Sequence, residues 1–120
     1  MAFETYDIHT QRSTDRHQSD QCDATANSLP VGSAVTLDGV LISNTLNTHK
    51  VYVKIWDSAA PVVGTDAPDC VFVCGPSETV AYTFSFGIAF SNFSFACVQE
   101  PGTSGLTSPL NNVSVSCLTH

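Results

Sequence analysis

The chain has 120 residues, 42% of them hydrophobic and only 12% charged, which is one domain's length with enough apolar material for a core that needs no metal or disulfide to hold it. Four basic residues against eleven acidic ones give a formal net charge of −7, and no Lys or Arg follows Lys54. A surface so poor in cations suits neither phosphate backbones, which are bound through several lysines and arginines, nor anionic membranes, so nucleic acid and membrane are not expected partners.

No apolar run reaches the roughly 20 residues that span a bilayer. The opening "MAFETYDIHTQRSTDRHQSDQ" lacks the basic-then-apolar order of a signal peptide, so synthesis in a cytoplasm is expected. Residues 1–30 read as an extended arm. "AFETYDI" carries Phe3, Tyr6 and Ile8, apolar groups suited to docking on a partner; a frayed terminus is the plainer reading. Residues 11–28, "QRSTDRHQSDQCDATANS", hold only Cys22 and two alanines as apolar residues, too little to bury a face.

From Leu29 onward the pattern has period two. "AVTLDGVLIS" (34–43) predicts a strand with a bulge at Gly39. "HKVYVKIWD" (49–57) sets Val51, Val53 and Ile55 on one face and Tyr52, Lys54 and Trp56 on the other. "CVFVC" (70–74) is apolar on both faces. "TVAYTFSF" (79–86) alternates most cleanly, and "FGI" after it reads as a turn. "IAFSNFSFACV" (88–98) changes phase at Ser91-Asn92, which would return Phe93, Phe95 and Cys97 to the core. "VSVSCL" (113–118) closes the set. The connecting "NTLNT", "CGPSE" and "EPGTSGLTSPLNN" are turn chemistry, and no window has a helical period. Six or seven strands in about 90 residues predict an all-β fold, an antiparallel, jelly-roll-like β-sandwich over residues 31–120 behind the arm 1–30.

The longest interruption is residues 57–69, between "VYVKIW" and "CVFVC". A connection of this length in a small domain is usually functional or unstructured. Pro61 and Pro68 stiffen it and Gly64 permits an unusual turn, while Val62 and Val63 give it an apolar surface. Asp57, Asp66 and Asp69 are spaced by nine and three residues with apolar groups between them. Calcium loops place oxygen ligands at alternate positions, so turn-capping roles suit these aspartates better.

Among the five cysteines, Cys70 and Cys74 lie on one face of one strand, about 13 Å apart at ~3.3 Å per residue, too far to bridge each other. With Cys97 and Cys117 they read as small core residues; an inter-strand bridge is the alternative. Cys22 stands apart on the arm as a possible inter-chain thiol, either resting unpaired against a neighbour or bridging to it. Zinc is disfavoured, because C-x-x-x-C on a strand lacks the turn that gathers ligands. His9, His17, His49 and His120 read as solvated. With no G-x-S-x-G, phosphate-binding glycine loop or H-E-x-x-H, no catalytic residue, cofactor or metal site is assigned and an enzyme is not expected.

One stretch resembles a known family. Val53, Lys54, Ile55, Trp56 and Asp57 on the strand are followed by Ala60, Pro61, Gly64, Thr65, Asp66 and Pro68 in the loop. Gly87, Ile88, Phe90 and Ser91 follow in order on the return strand. In this half of its length the chain is similar to small β-rich virion proteins of tailed bacteriophages. It departs from them at Cys70 and Cys74, where branched apolar residues are common, and in its arm. The resemblance implies a homotrimeric capsid decoration (cement) protein on the outer surface of the major capsid protein shell, made in the host bacterial cytoplasm. Phe3, Tyr6 and Ile8 would then bind the capsid, and Asp57, Pro61, Val62, Val63, Gly64, Asp66 and Pro68 would form an interface loop. The alternative is a head-fibre or tail-appendage module binding host surface or carbohydrate, with Trp56 or Tyr52 stacking on sugar.

Overall fold

The computed structural model describes residues 15–120. Within them eight strands follow one another: β1 (Asp15–Ser19), β2 (Asn27–Ser28), β3 (Val35–Ser43), β4 (Val51–Trp56), β5 (Cys70–Cys74), β6 (Thr79–Phe90), β7 (Ser94–Val98) and β8 (Ser114–Thr119). They form two four-stranded antiparallel sheets, in the orders β1-β8-β3-β6 and β2-β7-β4-β5. No helix occurs among the described residues, so none there is long and apolar enough to cross a membrane.

Period-two alternation builds the shared core. Val40 and Ile42 of β3, Val51, Val53 and Ile55 of β4, Phe95 and Cys97 of β7, and Val115 and Cys117 of β8 are all buried in one cluster. Burying each branched aliphatic side chain contributes roughly 1.5–3 kcal/mol against leaving it in water. The phase change at Ser91-Asn92 is present: β6 ends at Phe90, and Phe93 re-enters the core edge-on to it at 5.3 Å. The bulge at Gly39 is present too. The register of β3 slips between Leu37 and Gly39 against both neighbours, and a Cβ on Gly39 would stand 2.9 Å from the Tyr82 carbonyl oxygen.

The arm expected over residues 1–30 is corrected for its second half. β1 runs along β8 from Asp15 opposite Thr119 to Ser19 opposite Val115, and β2 pairs with β7. Between them the Cys22 amide donates to the Val113 carbonyl at 2.9 Å. A strand ladder is made by backbone groups, so "DRHQS" joins a sheet with no apolar side chain of its own. His17, expected in solvent, is half-buried on β1, with its ring 6.2 Å from that of Phe93. Phe3, Tyr6 and Ile8 lie outside the described residues. The turn expected at "FGI" is also corrected. β6 continues through it by a wide bulge, because Leu37 pairs with Ile88 and Gly39 with Thr83, leaving Asp38 opposite residues 84–87. Gly87, at φ 76°, carries the strand out of that bulge.

Candidate interaction surface

The central strands β4 and β7 of sheet β2-β7-β4-β5 are covered on both faces. Lys54 and Trp56 alternate with the core residues of β4 and so point away from the core, and Ala96 and Val98 do the same on β7, yet all four are buried. Two long connections cover them. From loop 57–69 the Asp66 carbonyl accepts the Trp56 indole N–H at 3.0 Å. From the β7–β8 connection the Gly102 carbonyl accepts the Lys54 ammonium. Burial pulls the Lys54 pKa down, with the Glu100 carboxylate opposing it. The two connections meet at Gly64, where φ is +90° and a Cβ would come within 2.5 Å of the Leu106 side chain.

Loop 57–69 is fastened by its own aspartates, in the capping roles that their spacing predicts. Asp66 Oδ2 accepts the Val62 amide at 2.8 Å, and Asp69 Oδ2 accepts the Asp57 amide at 2.7 Å. Asp57 Oδ1 reaches across to the β6–β7 turn and accepts the amides of Ser91 at 3.0 Å and Asn92 at 2.8 Å. Pro61, Val63 and Pro68 are half-buried and Val62 is exposed. The loop is thus a fixed shape with an apolar residue at its surface. Trp56, beneath it and 2% exposed, is out of reach of a sugar.

Cys22 is also corrected: it does not face a neighbouring chain. It is 2% exposed in the core cluster with Cys97 and Cys117. Burial raises its pKa strongly, helped by the two nearby thiols and Asp23. Burial likewise pushes Cys97 up to about 12, with Cys74 and Asp23 adding, and Cys117 up to about 12. All five cysteines are free. Cys74 is buried, and half-buried Cys70 packs against the core. Among the described residues no three His, Cys, Asp or Glu side chains converge as a metal site.

Sequence reasoning missed the asparagines of "NTLNT". Asn44 and Asn47 are buried and lace three connections together. Asn44 Nδ2 donates to the carbonyls of His49 at 2.8 Å and Gly75 at 2.9 Å. Asn47 Nδ2 donates to Asn44 Oδ1 at 2.9 Å, while Asn47 Oδ1 accepts the Asn111 amide at 2.8 Å. The only signal was two asparagines three apart directly after a strand, a pattern that turns share.

Exposed large apolar side chains are spread over the connections, at Val31, Leu46, Val62, Leu106 and Leu110, and over the edge strands β5 and β6. Val71 and Val73 are 41% and 40% exposed on the outer face of β5, and Phe86 is 95% exposed on the β6 bulge. No family model, curated protein or solved structure matches the chain.

Proposed function

We propose that this chain is a structural protein of a tailed-phage particle, a decoration protein that binds the outside of the major capsid protein shell and stabilises it. The observation that carries the proposal is the contact between Asp57 and the amides of Ser91 and Asn92. The resemblance to phage virion proteins rests on two segments far apart in sequence, one ending in the loop and one at Gly87–Ser91. Asp57 belongs to the first and fastens it to the second, so the shared residues act as one unit that rigidifies an exposed loop. A rigid, apolar-tipped loop suits repeated attachment to a lattice, where many weak contacts add up when subunits are linked.

The strand order supports a jelly roll as the finer description of the fold. The two sheets, β1-β8-β3-β6 and β2-β7-β4-β5, divide eight strands as two interlocked Greek keys would. The homotrimer belongs to the same reading, with Phe3, Tyr6 and Ile8 as capsid anchors. A sugar-binding fibre module is less well supported, since Trp56, one of its two candidate stacking residues, is buried.

The test is the protein's location and copy number in purified particles. A copy number that scales with capsid subunits is expected; one that matches the vertices or the tail overturns decoration. The full-length triple variant Phe3→Ser/Tyr6→Ser/Ile8→Ser, added to undecorated capsids, should fold normally and fail to reach wild-type occupancy.

A further inference from the structure

β6 is the terminal strand of its sheet and pairs only with β3 among the described strands. Proteins usually protect such an edge with lysine, proline, a covering segment or a very short strand. β6 runs for 12 residues, "TVAYTFSFGIAF", without a charge or a proline. The neighbouring edge strand β5 differs, because the Tyr82 hydroxyl crosses from β6 and donates to the Val73 carbonyl.

We propose that β6 is a self-association edge, on which a second copy of this chain pairs antiparallel about a two-fold axis. The regular part of β6 is Thr79–Thr83, where each residue has its own partner on β3. Centred on Ala81, this stretch is complementary to itself. Thr79 of each copy lies opposite Thr83 of the other, and Val80 opposite Tyr82. Threonine pairs and aromatic–β-branched pairs are among the favourable cross-strand combinations, and the alanines meet at the axis with no bulk. A two-fold contact repeats each of these pairs, as closed dimers do.

Charge selects the same occupant. Two copies that each carry −7 repel one another over most of their surfaces. β5 and β6 are both free of charge, so contact there brings no carboxylates of these strands together. Phe86, 95% exposed, lies just beyond the paired stretch, level with the β5–β6 turn of the other copy, where dimerisation would bury it. The inference is independent of the capsid reading, and its two-fold contact competes with the threefold arrangement that the resemblance implies.

The test is sedimentation equilibrium of the full chain in reducing buffer across a range of concentrations. Wild type is expected to form a dimer. Ala81→Lys puts two like charges at the axis and should weaken the dimer by at least about tenfold. Phe86→Ser, at a side chain that contributes almost nothing to the fold of one copy, should weaken it as well. Amide exchange at Thr79–Thr83 should slow as wild-type concentration rises, a readout that needs no variant. A monomer at every concentration, or an oligomer of any size unaffected by either substitution, overturns the proposal. Loss of capsid binding with an intact dimer would instead count against decoration.

Discussion

Of the four buried thiols, three make the fold sensitive to alkali in a calculable way; the fourth, Cys74, is raised in the same direction by burial. Cys22, Cys97 and Cys117 are at most 2% exposed, and burial holds their pKa values above the ordinary 9.0. Unfolding lets them ionise. A group whose pKa is raised by folding stabilises fully below its unfolded value, and that contribution is lost as pH rises toward the folded one. Between pH 8 and pH 10 the folded thiols stay protonated while the unfolded chain's ionise, at a cost to stability of roughly 1–2 kcal/mol for each. The three together amount to roughly 3–6 kcal/mol, a large part of the ~5–15 kcal/mol that holds a domain folded. Lys54 acts in the opposite direction: its pKa is lowered by folding, so it returns stability as pH rises toward the unfolded value. Comparing wild type with cysteine variants cancels that contribution. Urea unfolding at pH 8 and pH 10, in a phosphine reductant and followed by circular dichroism, should show the pH-dependent loss shrinking by roughly 1–2 kcal/mol in Cys117→Ala. It should shrink by about twice that in Cys97→Ala/Cys117→Ala. An identical pH dependence in wild type and the double variant would refute the reasoning, whatever the variants' absolute stabilities.

Asp57→Ala removes the acceptor of two turn amides and should cost about 1–3 kcal/mol, read as a lower Tm with the strand signal retained. Gly64→Ala combines a left-handed φ with a 2.5 Å clash against Leu106, and about 1–2 kcal/mol of destabilisation is expected. Leu106→Ala should relieve the clash but not the backbone strain, giving a positive coupling in a double-mutant cycle. Asn47→Ala strips an acceptor from the Asn111 amide and a donor from Asn44; a loss of about 2–3 kcal/mol in denaturant titration is expected. Deleting residues 1–28 removes β1, β2 and the buried Cys22, and the truncated chain should lose the cooperative thermal transition.

The strands from Val35 onward were legible because each buries one side, and burial writes a period of two into the sequence. Gly39 marked its bulge, since a residue without Cβ inside an otherwise strand-forming run indicates close backbone approach. β1 was not legible. It contributes backbone hydrogen bonds to β8, and its side chains are mostly exposed, so polar residues serve as well as apolar ones. Cys22 was misread for the same reason: one buried residue among polar neighbours leaves no periodic trace. β6 was read as two strands because glycine commonly ends a run, and only the register against β3 reveals that the chain continues past it. In loop 57–69 the prolines and aspartates disclosed a rigid, capped turn. That it covers a second hydrophobic face was hinted at only by Tyr52, Lys54 and Trp56, long side chains whose aliphatic and aromatic parts pack well beneath a cover.

The chain contains one tryptophan, and its indole N–H is bonded to the Asp66 carbonyl under loop 57–69. The molecule therefore carries an intrinsic optical reporter placed at the junction between sheet and loop. Its emission should be blue-shifted while the loop is seated and move to the red when water reaches the indole. Because seven phenylalanines and three tyrosines add little when excitation is restricted to the red edge, the signal belongs to this one position. Any partner that presses on the loop, or lifts it, can be followed in real time on the unlabelled protein.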